Sequence, residues 1–140
     1  MPTMLIAIGG NALLKAGELA TIGTERARVA ETCGRIAAIV SEGWRLVITH
    51  GNGPQVGAAL LRSERAAQEA YALPLDVCVA ATQGEIGFLL QQSLGGALAA
   101  IGADRPVSTV VTQVVVAPDD MAFTHPTKPV GSFYSQPEAE

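Results

Sequence analysis

The chain has 140 residues and a mass of 14.4 kDa, enough for one domain with a substantial core. Hydrophobic residues make up 49% and charged residues 16%, which excludes disorder as a general description, while 4% aromatics leaves the core to Ala, Val, Leu and Ile. Nine basic against thirteen acidic side chains give a net charge of −4 without any Lys/Arg run, a balance unsuited to nucleic acid or to an anionic membrane surface.

Met4 to Ile8 is a short apolar run stopped by Gly9-Gly10, which predicts a buried strand. Thr24 to Ser41 reads as a helix. Thr24 is placed to cap it, Glu25 puts negative charge in its first turn, and Val29, Cys33, Ile36 and Val40 recur at helical spacing before Gly43 ends it. Trp44 to Thr49 predicts a second buried strand, stopped by His50-Gly51-Asn52-Gly53. Pro54 suits the first turn of the next helix, expected to run to about Tyr71. After Pro74 a long apolar helix is expected to about Ser93, loosened at Gly95-Gly96 with room for one more turn before Gly102. Val107 to Val116 is strongly β-branched and predicts a third strand, ended by Pro118-Asp119-Asp120. The Pro-rich remainder predicts a loop or small hairpin standing off the core. Buried strands alternating with helices predict an α/β fold in three layers, α/β/α, around a mainly parallel sheet.

Cys33 and Cys78 are separated by 45 positions and form no CxxC pair, so neither a disulfide scaffold nor a cysteine zinc motif is expected, and both read as buried free thiols of a reducing compartment. The start of the chain has no basic segment of the kind that opens a signal peptide. The longest uncharged run, the 18 residues Ile86 to Ala103, contains Gln91, Gln92, Ser93 and four glycines and reads as a buried helix rather than a membrane span.

The chemistry concentrates in two glycine-rich loops, Gly9-Gly10-Asn11 and Gly51-Asn52-Gly53, each directly after a predicted strand. In an open α/β sheet, ligands sit outside the carboxyl ends of the strands. Glycine allows close backbone approach and positive φ, successive N–H groups form a concave anion site, and the second loop feeds a helix N-terminus. Neither loop carries a carboxylate, so the pair suits a phosphate or a small carboxylate-like anion. A Walker A loop, a G-x-S-x-G elbow, H-E-x-x-H and an EF-hand loop are absent from the sequence. His50 and His125 lack a metal-ligand partner at useful spacing, and the sequence offers no protein metal site. The chain has seven Arg and two Lys, so Lys15 and Lys128 stand out as candidate mobile point charges.

The segments Ala7-Ile8-Gly9-Gly10-Asn11-Ala12-Leu13-Leu14 and Thr49-His50-Gly51-Asn52-Gly53-Pro54-Gln55-Val56-Gly57 resemble the two signatures of carbamate kinases. Leu73-Pro74-Leu75-Asp76-Val77, Thr82-Gln83-Gly84-Glu85-Ile86-Gly87, Thr109 to Ala117, Pro118-Asp119-Asp120 and Pro126-Thr127-Lys128-Pro129-Val130-Gly131 continue the likeness in order. The resemblance implies the amino acid kinase fold and reversible phosphoryl transfer: ATP and carbamate in exchange for ADP and carbamoyl phosphate. It implies that Gly9, Gly10, Asn11, Gly51, Asn52 and Gly53 hold carbamate and the phosphoryl group, and that Lys128, on a protruding lid, is catalytic. Other branches of the fold carry a lysine where this chain has Ala7, a departure that favours carbamate kinase over acetylglutamate, aspartate or uridylate kinases.

What the resemblance further implies is a magnesium ion with ATP or ADP, a cytoplasmic homodimer, and ATP formation in arginine catabolism. Residues 1–117 are expected to form the carbamate- and phosphoryl-binding domain and residues 118–140 the start of the lid. Nothing in the sequence matches the nucleotide-binding half of the family, so the reading is a truncated, amino-terminal fragment with little activity alone. The alternatives are a non-catalytic anion-binding or dimerisation module, a half-domain paired with a separately encoded nucleotide half, and another kinase of the same fold.

Overall fold

The computed structural model describes residues 1–9, 13, 21–131 and 135–136. Its elements run in the order β1 (Thr3–Ile8), α1 (Ile22–Ser41), β2 (Arg45–His50), α2 (Gly53–Arg65) and α3 (Leu75–Ala100), followed by a 3₁₀ turn at Met121–Phe123. β1 and β2 pair in parallel, Thr3 opposite Arg45 through Ile8 opposite His50. α1 is the crossover that parallel pairing demands. Two parallel strands joined by a helix, together with two further helices in the chain, make an α/β fold.

The chain divides into two compact units, Met1–Asn52 with Gln83–Val110, and Gly53–Thr82 with Val111–Glu140. The expected lid, 118–140, falls inside the second.

In the first unit, one face of the sheet carries the core. Ile8 is buried and Ile6, Leu46 and Ile48 are partly so, against Val29, Cys33, Ile36 and Ala37 of α1 and Ile86, Leu89, Leu90, Leu94 and Leu98 of α3. The alternation that places these residues inward sends Leu5 and Val47 outward, and the two are direct ladder partners, 66% and 50% exposed. The expectation of strands buried on both faces is therefore corrected: in this chain the sheet is covered on one.

A second correction concerns Val107 to Val116, which forms no strand. Val107 packs on the core and Thr109 is fastened to α3, its hydroxyl donating to the Gly87 carbonyl (3.0 Å) with Gln91 Oε1 3.3 Å away. Beyond it Val110, Val114 and Val115 are 77%, 82% and 97% exposed. β-branched residues favour a pleated, half-buried surface, and a strand exists only where a neighbour offers a ladder; propensity alone does not supply one. Gly87 is the tight point of this attachment, since a Cβ there would collide with the Thr109 methyl. Gly87→Ala should break the Thr109 latch and lower stability by about 1–2 kcal/mol, read as a lower midpoint in urea.

Helix boundaries also move. α1 begins two residues earlier than expected because Thr21, not Thr24, is the cap: its hydroxyl accepts from the Thr24 amide at 3.1 Å and meets the Thr24 hydroxyl at 2.7 Å. Thr21→Ala should cost about 1 kcal/mol in thermal unfolding. α2 stops at Arg65, short of Tyr71, and passes into turns closed by Ala66 N to Arg62 O and Ala70 N to Ala66 O. α3 runs through Gly95-Gly96 to Ala100, because Leu94 and Leu98 continue its buried stripe, and burying two leucines outweighs about 1 kcal/mol per glycine. It ends where Gly102 takes φ +71° and Ala103 N reaches back to Leu98 O, the glycine-closed helix end. The Pro-rich segment contains the short 3₁₀ turn, capped by Asp120, and no hairpin among the described residues.

Cys33 and Cys78 are buried free thiols, as expected. Cys33 is wholly buried, its thiol donating weakly to the Leu90 carbonyl at 3.8 Å, and burial pushes its pKa from 9.0 up to about 11. In the unfolded chain this thiol ionises near 9.0, so its contribution is intact below that pH and is lost as pH climbs towards 11. Two pH units at about 1.4 kcal/mol each correspond to about 2–3 kcal/mol. Urea unfolding at pH 8 and pH 10.5 should show about 2 kcal/mol of this loss in the wild type, and a Cys33→Ala chain should lose less over the same interval.

Candidate phosphoryl-binding site

β1 ends at Ile8 and β2 at His50, side by side in register. The Gly51 amide donates to the Ile8 carbonyl at 3.3 Å, which fixes the start of the second loop against the end of the first strand. Gly9 and Gly51 therefore leave the sheet together at its carboxyl edge, where the sequence placed them. Gly10, Asn11 and Lys15 lie outside the described residues.

Gly9, Gly51 and Gly53 have no neighbouring atom within 4 Å of where a Cβ would stand. Among the described residues, positive φ occurs only at Gly43, Gly102 and Gly131. The expectation that the loops use glycine for left-handed backbone is thus not met at Gly9, Gly51 or Gly53. What glycine provides there is open space above the main chain, the condition for an anion to approach the amides closely.

α2 starts at Gly53 and carries no acidic residue in its first turn, while Arg62 and Arg65 occupy its last. With no acidic residue in the first turn, the positive N-terminal end of the helix favours an anion. Asn52 is half-buried at the junction and already engaged in an interaction. Gln55, two residues into the helix, is a polar side chain only 6% exposed. Its place directly behind Gly51 and Gly53 is the one signal the sequence carries for it.

Lys128 is exposed and lies in the second unit, with α2. His50 closes β2 with Nδ1 3.3 Å from the Gly51 carbonyl, as a strand-end hydrogen bonder would. His125 is exposed and shares a 2.9 Å hydrogen bond with the Thr124 hydroxyl. A concavity of about 320 Å³ lined by Gly95, Ala99, Gly102, Ala103, Asp104 and Arg105 is a separate feature. Arg105 reaches Met1 Sδ at 3.6 Å, which puts this concavity at the amino ends of the strands, opposite the glycine loops. No helix among the described residues is long and apolar enough to cross a membrane.

No family model matches the chain. A carbamate kinase of Trichomonas vaginalis is 49% identical over 138 residues, covering 98% of this chain and 44% of that protein. A carbamate kinase of Thermococcus kodakarensis is 44% identical over 144 residues, covering 100% of this chain and 45% of that protein. Among solved structures, carbamate kinase from Giardia lamblia bound to AMP-PNP superposes with a TM-score of 0.93 at 43% identity, covering 99% of this chain and 44% of that one. Sequence and backbone agree over nearly the whole of the chain, which is thus related to the carbamate kinases and spans about 44% of their length.

Proposed function

We propose that the chain supplies the carbamate- and phosphoryl-binding part of a carbamate kinase, a phosphotransferase interconverting ATP plus carbamate and ADP plus carbamoyl phosphate. The observation that carries this is the 0.93 TM-score at 43% identity to the AMP-PNP-bound Giardia enzyme. In this reading residues 1–117 bind carbamate and the phosphoryl group, residues 118–140 begin a lid, and the nucleotide pocket is built by polypeptide outside these residues.

The chemistry needs no protein nucleophile. Phosphoryl transfer depends on in-line positioning and on neutralising the charge of the moving group. The backbone N–H groups of Gly9, Gly10 and Asn11, and of Gly51, Asn52 and Gly53, hold the oxygens of carbamate and of the phosphoryl group. The N-terminal end of α2 adds a fixed positive potential that costs no reorganisation during reaction. Lys128 offsets negative charge on the phosphoryl group, and its four-carbon stem lets the ammonium follow that group from donor to acceptor. Magnesium belongs to the proposal as part of the nucleotide substrate, on its phosphates. Among the described residues no grouping of three His, Cys, Asp or Glu could hold a metal ion. The proposal extends to a cytoplasmic homodimer that forms ATP from carbamoyl phosphate in arginine catabolism.

The test is ATP formation from ADP and carbamoyl phosphate by two proteins. One is the 140-residue chain. The other is a chimera in which this chain replaces the matching part of the Giardia enzyme. The expected result is a chimera that forms ATP and a chain alone that forms little. A folded chimera that binds nucleotide yet makes no ATP would count against the proposal.

A further inference from the structure

The arm that bears Lys128, residues 124–131, meets α2 at Gly131. Gly131 has φ +95°, a left-handed conformation that suits glycine. A Cβ on Gly131 would stand 3.1 Å from Leu60 Cδ2, and a Cβ on Gly57 would stand 3.6 Å and 3.7 Å from the Gly131 amide nitrogen and Cα. The arm therefore sits directly on the first two turns of α2, backbone against helix, with no side chain between Gly57 and Gly131. All of these residues and Lys128 belong to the second unit.

Lys128 is three residues from this seat, and three residues of chain span at most about 11 Å. Gly57 is four residues from the start of α2, about 6 Å along the axis. The seat therefore limits how far the lysine can stray from the helix N-terminus. We infer that Gly131, seated against Gly57 and Leu60, is a positioning residue that anchors the arm and holds Lys128 within reach of the N-terminus of α2. The inference rests on the proposed phosphoryl-binding reading, and it adds the device that sets where the lysine stands. A larger residue on either side of the seat lifts the arm: Gly131→Ala through its backbone and Leu60, Gly57→Leu through the helix side. The two variants perturb different elements and share only this contact.

The experiment has two readouts on the 140-residue chain. The first needs no ligand. NMR order parameters of the Thr127, Lys128 and Val130 amides should fall below about 0.6 in both variants, while amides of β1 and β2 stay near about 0.85. The second is carbamoyl phosphate affinity in wild type, in each variant, in Lys128→Ala and in the double variants. Each glycine variant should weaken binding about tenfold, the scale of one charge-assisted contact. Added to Lys128→Ala, either should cause no further loss, because both act through the same ammonium. Losses that add in full to that of Lys128→Ala would mean a merely structural glycine and overturn the inference. Unchanged order parameters in both variants would overturn it equally. A wild-type chain that binds no carbamoyl phosphate would instead remove the functional reading, and the order parameters would still decide whether Gly131 anchors the arm.

Discussion

Lys128→Ala should lower the rate of ATP formation in the chimera by about 10²–10³-fold, the range seen when one preorganised charge or donor facing the transition state is removed. The loss should fall on kcat more than on KM, because a transferring phosphoryl group spreads charge onto its oxygens as the donor bond loosens. The glycine loops and the α2 N-terminus would still bind the ground-state anion, so affinity should survive in part. Lys128→Arg should recover only a fraction. A guanidinium keeps the charge, but its planar fork cannot follow a moving phosphoryl group as a compact ammonium does. The lysine is exposed and sits in a segment without regular structure, so neither change should unfold the chain. A folded Lys128→Ala chimera that retains activity within about threefold would leave the lysine as a solvated surface charge, the ordinary state of an exposed loop lysine.

How much of this was legible depended on whether a residue's fate is set locally. The glycine loops were legible because a buried apolar run followed at once by Gly-Gly or Gly-Asn-Gly can hardly be anything but a strand meeting a loop. Parallel pairing then brought Ile8 and His50 level, which composition alone could not have specified. The α1 face was legible from Val29, Cys33 and Ile36, all buried. Thr21 was missed as the cap because Thr24 is equally suitable in type, and only the backbone turn decides which hydroxyl faces an open amide. Val107 to Val116 was misread for a deeper reason. Its β-branched sequence is written for a ladder, and whether a ladder exists depends on which segments lie alongside, a property no local window contains. The seat of Gly131 on Gly57 was illegible too, since 74 positions of sequence separate two glycines that meet only in three dimensions.

Ile86→Ala should destabilise the chain by about 2–5 kcal/mol, out of the roughly 5–15 kcal/mol expected for a domain. Ile86 is 1% exposed, at the middle of the core that α3 shares with β1 and α1. Leu90, Leu94 and Leu98 follow it at four-residue steps along one stripe, so the cavity opens where neighbouring side chains are themselves fixed and collapse is poor. Ile86→Val should cost only about 0.5–1.5 kcal/mol, since one methyl group is removed. Phe88 supplies the contrast. It is two residues along the same helix and 55% exposed, so Phe88→Ala in the isolated chain should shift stability by about 0.5 kcal/mol or less. Urea denaturation of the three variants compares the two faces of one helix. A Phe88→Ala loss as large as that of Ile86→Ala would mean that the exposed face of α3 is covered in solution. The same large loss should then depend on protein concentration, because a face covered by another copy is uncovered on dilution.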